Sequence, residues 1–233
     1  MKSSALPGRK PYGIVGDGKA SRHLQAYFRL LKVPYILWRR GSVRSAAAVL
    51  ADCGKIFILI TDSELDGFIR RNPFLKGREL FHFSGALEIK SARSLHPFMP
   101  FPPGPLSLGE YRAIPFAIAG DAPPLRKMVP EFRNPFFRVP SSRRPLYHAL
   151  CVLGANLPFI LWQKAFSGLN GGFGVPRELV LKYFRESLRN FELSPDRGLT
   201  GPLQRKDATT IRANLKALKG DKFRKVYSTF IEL

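Results

Sequence analysis

The chain has 233 residues, enough for one large domain or two small ones with an adequate core. Apolar residues make up 45% and charged residues 24%, ordinary values for a globular protein, but a net charge of +21 is not ordinary. The only two cysteines, Cys53 and Cys151, exclude a disulfide framework and a cysteine metal spacing, and a reducing, cytoplasmic setting fits them.

The basic residues come as scattered pairs, Arg39-Arg40, Arg70-Arg71, Arg143-Arg144 and Arg205-Lys206, rather than as one tail or stripe. Such a field attracts any polyanion, so nucleic-acid binding stands as a weaker alternative, while an anionic cofactor or an acidic substrate would gain from it too. Residues 1–11 are basic but lack an apolar core segment, which argues against a signal peptide. The longest apolar stretch, Leu150 to Trp162, is interrupted by Asn156 and Pro158 and is too short to span a bilayer. A soluble protein with no membrane partner is expected.

In chain order, the apolar run Tyr12-Gly13-Ile14-Val15 leads into Gly16-Asp17-Gly18-Lys19-Ala20-Ser21, and an amphipathic stretch with Leu24, Tyr27, Phe28 and Leu31 follows. A second apolar run goes from Pro34 to Trp38. Strand, glycine turn, helix and strand in that order open a dinucleotide-binding βαβ unit. Gly16 makes the tight turn, Gly18 lets the backbone approach a pyrophosphate, and the helix start offers N–H groups to the anion. Ser21 stands where glycine or alanine is usual, small enough for close helix–strand packing. An NAD site places Asp or Glu after the second strand, but here the chain reads Arg39-Arg40-Gly41-Ser42. Two guanidiniums and a hydroxyl suit a 2′-phosphate and favour NADP(H). The other reading makes the two arginines ordinary surface residues.

Ser42 is placed to cap a helix over 43–50. The unbroken run Lys55 to Ile60 predicts a parallel strand covered on both faces, ending at Thr61-Asp62-Ser63, with a short helix beyond. A strand at 79–83 ends in Ser84-Gly85, and a stretch around Leu95-His96-Pro97 leads into a proline-rich loop. Ile114 to Ala119 predicts another strand, with Pro115 at its start or on a sheet edge. Asp121 opens a helix through Val129, and Arg138-Val139 forms a last short strand. After Pro140 the pattern turns helical: about 143–169, then from Pro176 to Phe191, then two helices capped by Asp207 and Asp221. The chain therefore divides into an α/β doubly wound domain, 1–140, and an all-helical domain, 141–233.

Several of these segments together resemble a known family. They are Gly16-Asp17-Gly18, His82-Phe83-Ser84-Gly85-Ala86, Leu95-His96-Pro97-Phe98, Ile114-Pro115-Phe116-Ala117 with Gly120-Asp121, Tyr147-His148-Ala149 with Asn156, and Leu199-Thr200-Gly201-Pro202 with Arg205 and Asp207. The chain resembles the Rossmann-like bacterial proteins with a C-terminal helical domain of unknown function. These are related to pyrroline-5-carboxylate reductase, ketopantoate reductase and, more distantly, 3-hydroxyisobutyrate dehydrogenase. The resemblance implies a dinucleotide-binding domain, a helical domain forming the substrate cleft, and a dimer. The chain departs from that pattern at Ser21, at Phe83 and at Lys206, where glycine is usual.

Ligands of doubly wound sheets lie outside the carboxyl ends of the strands, which makes Thr61, Asp62, Ser84 and Gly85 candidates for cofactor contacts. His82 reads equally as a core histidine. His96 heads an aromatic loop and is a candidate for the substrate. On the helix from Arg143, His148, Val152 and Asn156 share one face, and Pro158 cannot donate to the Gly154 carbonyl, so the helix should bend near Asn156. The distant dehydrogenases carry lysine where Val152 stands, which leaves His148 as the available acid and Asn156 as a hydrogen-bonding group. Arg205 could hold a substrate carboxylate as a bidentate fork. The expected activity is NADP(H)-dependent hydride transfer to or from a small carbonyl or imino acid. The alternative is a non-catalytic nucleotide-binding scaffold.

Overall fold

The computed structural model describes residues 10–232. Most of the segment 1–11, read above for a signal peptide, lies outside the described residues. Seven strands form one sheet: β1 (Tyr12–Val15), β2 (Tyr35–Trp38), β3 (Lys55–Ile58), β4 (Glu79–His82), β5 (Arg93–Pro97), β6 (Phe116–Ala119) and β7 (Phe136–Val139). Their order is β2-β1-β3-β4-β5-β6-β7. Pairing is parallel except between β5 and β6, so the sheet is mixed rather than purely parallel. That antiparallel step follows from β5, which the sequence showed only as a short stretch before a proline-rich loop.

Period-two alternation decides the layers. Ile14, Phe57 and Phe81 enter one core with Leu24, Tyr27 and Phe28 of helix α1 (Lys19–Leu30) and with Phe116 and Phe132. Val15, Ile56, Ile58 and Leu80 enter the other with Leu50 and with Leu65 of α3 (Asp62–Arg71). Both faces are thus covered, which is why β3 reads as an unbroken apolar run.

Local chemistry moves some expected boundaries. Ser42 does not cap a helix: its backbone N–H donates to the Arg39 carbonyl and its hydroxyl accepts from the Arg39 N–H, closing a turn. Ser45 is the cap of α2 (Ala46–Val49), accepting from Ala48. A capping box, Ser107 with Glu110, starts the unanticipated α4 (Leu108–Ala113). Helix α5 (Leu125–Met128) begins after Pro124 rather than at Asp121. Beneath α1 and α4, Asn134 is a buried polar hub. It accepts from the Tyr27 hydroxyl at 2.7 Å and donates to the carbonyls of Tyr111 and Ile114 at 2.6 and 2.9 Å.

After Pro140 every described element is helical. α6 (Arg144–Cys151) continues through a π segment, Val152–Asn156, into α7 (Leu157–Phe166), all within one helix, Ser141–Gly172. Pro158 is accommodated by this π segment, which re-spaces the backbone bonds just before it. Among the described residues this helix is long and apolar enough, by length and composition, to cross a membrane, and the apolar stretch at 150–162 lies inside it.

The chain divides into two compact units, the first ending at Leu157 and the second beginning at Pro158. The second also contains α8 (Arg177–Leu193), α9 (Ala208–Ala217) and α10 (Phe223–Ile231). Asp207 caps α9 by accepting from the Thr210 N–H, and Asp221 accepts from the Phe223 N–H at the start of α10.

Asn134→Ala would leave the Tyr27 hydroxyl and two carbonyls without their partner inside the core. A loss of about 3 kcal/mol is expected, read as a lower urea midpoint at unchanged slope.

Candidate functional site

The turn after β1 is built for close approach. Gly16 has φ +105°, and a Cβ there would stand 2.2 Å from the Leu59 carbonyl oxygen. Its N–H donates to the Trp38 carbonyl at 2.9 Å, and its own carbonyl accepts from the Ser21 hydroxyl at 2.7 Å. Ser21 therefore does more than fit: it is buried and bonds the turn it follows. Gly18 precedes α1 without a side-chain cap, and no acidic residue lies in the first helical turn. The first N–H groups of α1 thus have no capping side chain, the condition under which a helix start binds an anion.

A cavity of about 810 Å³ lies at this carboxyl edge, within the ~300–1,000 Å³ usual for ligand sites. Gly16, Asp17, Gly18, Lys19, Ala20, Arg39, Arg40, Thr61, Asp62 and Ser84 line it. Ser21 is buried behind the turn, and Ser42 closes the Arg39 turn instead of lining the cavity. Trp38, Glu64, Phe68 and Arg71 also line it and were not anticipated. A signal existed: Glu64, Phe68 and Arg71 recur at helical spacing directly after the polar cluster at 61–63.

The two arginines sit at the rim in exposed ion pairs, Arg39 with Asp17 at 3.1 Å and Arg40 with Glu64 at 2.5 Å. Exposed pairs contribute about 0–1 kcal/mol, so they leave both guanidiniums open to exchange for a stronger, charge-assisted partner.

The strand ends carry a connected polar set. The Ser84 hydroxyl donates to Asp62 at 2.6 Å and accepts from the Leu87 N–H, and the Ser84 N–H donates to His82 Nδ1. His82 is buried, and burial, reinforced by the Arg144 charge, presses its pKa down to about 4.

Immediately beyond Ser84, Gly85 abuts two rings. A Cβ on Gly85 would lie 2.5 Å from His148 Cδ2 and 3.1 Å from His96 Nε2. His96 and His148 have ring centroids 5.8 Å apart, and His96 Nδ1 is 2.8 Å from the Tyr147 hydroxyl. Burial first, then the His148 and Arg144 charges, lower His96 to about 4. Burial raises the Tyr147 pKa, so its hydroxyl stays protonated. His96 Nδ1 and this hydroxyl share a hydrogen bond whose direction follows the imidazole tautomer.

A second cavity, of about 570 Å³, is lined by His96, His148 and Asn156 together with Phe98, Met99, Phe137, Tyr147 and Cys151. Three of the expected site residues thus meet in one cavity; Ser84 lines the first cavity, and the adjacent Gly85 abuts two rings that line the second. Tyr147 was visible in the sequence only as the neighbour of His148. Arg205 lies in the second unit, in a turn where Lys206 takes φ +54°. This is the left-handed conformation that glycine adopts at least cost.

This sheet, glycine turn and cavity at the carboxyl edge define a Rossmann-type fold followed by an all-helical region. The chain belongs to the family of the domain of unknown function DUF2520, which matches residues 114–232. A candidate NADP oxidoreductase from Bacteroides fragilis superposes with a TM-score of 0.76 at 17% identity, over 96% of this chain and 97% of that one. An imine reductase from Streptomyces aurantiacus gives 0.66 at 13% identity, over 94% and 93%. The NADP-bound pyrroline carboxylate reductase of Plasmodium falciparum gives 0.56 at 13% identity, over 96% of each chain. These likenesses establish the fold. No curated protein sequence matches the chain.

The two histidines make an acid-sensitive site. Both folded-state pKa values lie near 4, below the ordinary 6.5. On acidification the unfolded chain takes up protons first. Their contribution is therefore complete above about pH 6.5 and is lost as pH falls toward 4, by up to about 1.4 kcal/mol per pH unit for each histidine. Urea unfolding across pH 7 to 4.5 should show this loss, and His82→Gln should remove about half of the slope.

Proposed function

We propose that the protein is an NADP(H)-dependent oxidoreductase that transfers a hydride between nicotinamide and a small carbonyl or imino acid. The observation that carries this reading is the pair Arg39 and Arg40 at the rim of a cavity that also holds the Gly16–Gly18 turn and the open start of α1. The end of β2 has guanidiniums where an NAD site has a carboxylate. The NADP reductases of similar fold agree with it.

In this reading residues 1–140 hold the cofactor and 141–233 serve substrate binding and dimerisation. Gly16, Gly18 and the N–H groups of Lys19 and Ala20 take the pyrophosphate. Asp17, Thr61, Asp62, Ser84 and Gly85 contact the ribose and nicotinamide portions. The cofactor, when bound, supplies or accepts the hydride. His148 holds the proton exchanged with the substrate, and Asn156 hydrogen-bonds the reacting oxygen or nitrogen. His96 contacts the substrate as a neutral imidazole, and Arg205 is the second unit's candidate for a carboxylate. Ser42 supports the phosphate site indirectly, by closing the Arg39 turn. The positive field serves these anions rather than a nucleic acid.

Fluorescence titration tests the cofactor. Arg39→Ala combined with Arg40→Ala is expected to weaken NADPH binding at least tenfold, about 1.4 kcal/mol, with NADH binding nearly unchanged. Asn156→Ala should bind NADPH normally and lower turnover on a panel of 2-oxo and imino acids. NADPH binding without turnover on any member would favour the scaffold alternative.

The same reading makes the protein a cytoplasmic homodimer. Leu146, Leu150, Leu153, Leu157, Phe159, Ile160 and Trp162 are all exposed along one helix. Val180 is the only buried side chain among the described residues of the second unit. So little burial cannot offset the entropy of ordering that unit, and a second copy supplies the missing cover. Sedimentation velocity should show a dimer, and Leu153→Glu should give a monomer with a lower melting temperature.

A further inference from the structure

Among the described residues, the largest fully buried side chain is a cation. Arg144 opens α6 and has no exposed surface. Taking a guanidinium out of water is costly, and among the described residues no carboxylate lies within ion-pair distance of it. Its hydrogen bonds go to one place. Nη2 donates to the Ser84 carbonyl at 3.1 Å and to the Ser94 hydroxyl, which itself donates to the same carbonyl at 2.6 Å. Among the described residues, Nε and Nη1 have no hydrogen-bond partner.

The position of Arg144 in the chain gives these bonds their meaning. Tyr147 and His148 follow it by one helical turn, so they share its side of α6. Ser84 lines the first cavity and holds Asp62, while Gly85 touches the His148 and His96 rings. One buried cation therefore ties the start of the helix carrying His148 to the Ser84–Gly85 turn, which lines the first cavity through Ser84 and abuts two rings of the second through Gly85. On the reading of the second cavity as the reacting end, we propose that Arg144 is a positioning residue that holds the Ser84–Gly85 turn in register with the His96–His148 ring pair.

Its charge has a second effect. His82 faces Asp62 and Arg144, and His96 faces Tyr147, His148 and Arg144. Burial is the main cause of the low values of both histidines, and the Arg144 charge adds to it in each case. A buried like charge disfavours protonation, so Arg144 helps to keep His96 neutral.

The test uses the full-length protein without cofactor or substrate, followed by histidine-ring NMR titration and amide hydrogen exchange. Arg144→Gln removes the charge and the fork; Arg144→Lys keeps the charge and loses the fork. In Arg144→Gln the His82 and His96 midpoints should rise by more than about half a pH unit, and exchange at the Leu87 N–H, which donates to Ser84, should speed up. In Arg144→Lys the midpoints should hold while Leu87 exchange still speeds up.

Unchanged midpoints and unchanged Leu87 exchange in Arg144→Gln would overturn the proposal, as would midpoints in Arg144→Lys that move as far as those in Arg144→Gln. If Arg144→Gln does not fold, Arg144→Lys decides alone: faster Leu87 exchange at held midpoints supports the proposal, and unchanged exchange overturns it. Because no NADPH is present, this outcome is separate from that of the cofactor reading, which fails by an absence of NADPH binding.

Discussion

The close crossing of Gly16 over the Leu59 carbonyl is the constraint on which the site depends. β1 and β3 are neighbours in the sheet, and the chain leaving β1 must turn across the end of β3 before α1 can start. With 2.2 Å between a hypothetical Cβ and a backbone oxygen, no side chain fits. The Leu59 N–H donates to the Val15 carbonyl at 2.8 Å, so the approach is bonded from both strands. Once α1 starts there, its first N–H groups face the carboxyl edge of β1, and the ends of the parallel strands β2, β3 and β4 add to that same edge.

The large positive charge has several separate uses rather than one. Arg39 and Arg40 stay exposed at a cavity rim, in ion pairs weak enough to be exchanged for a phosphate. Arg78 and Arg138 instead close off backbone carbonyls: Arg78 those of Leu50, Ala51, Cys53 and Phe74, Arg138 those of Ala119, Gly120 and Ala122. Five donors on a planar fork let one arginine satisfy several carbonyls at the ends of strands and turns. Arg144 is buried and joins a helix to a turn. Net charge records none of these differences, since burial and partner, not count, decide what a guanidinium does.

The helical part follows a different physical logic. The sheet buries both of its faces within the chain, whereas the helices of the second unit expose about half of their large apolar side chains and, among the described residues, fully bury only Val180. The π segment before Pro158 belongs to the same logic. It lets one helix run on past a proline, so that a long apolar surface is kept instead of being broken in two.

Local sequence was sufficient wherever a single element carried the information. The Gly16–Gly18 turn, the unbroken run of β3, the Asp207 and Asp221 caps and the change to helices after Pro140 are all legible, because glycine geometry, two-faced burial and side-chain capping act within a few residues. Lys206 belongs here too, since its departure from glycine already marked a turn that the backbone then made at positive φ. The shift of the cap from Ser42 to Ser45, the antiparallel entry of β6 beside β5 and the juxtaposition of His96, His148 and Gly85 were decided only in three dimensions. They depend on which strands pair, and residues far apart in the chain carry no local mark of that choice. Arg144 is the clearest case. In the sequence it is one arginine in a basic pair, and only the fold, by closing over it and leaving it the Ser84 carbonyl and the Ser94 hydroxyl, makes it different from Arg143.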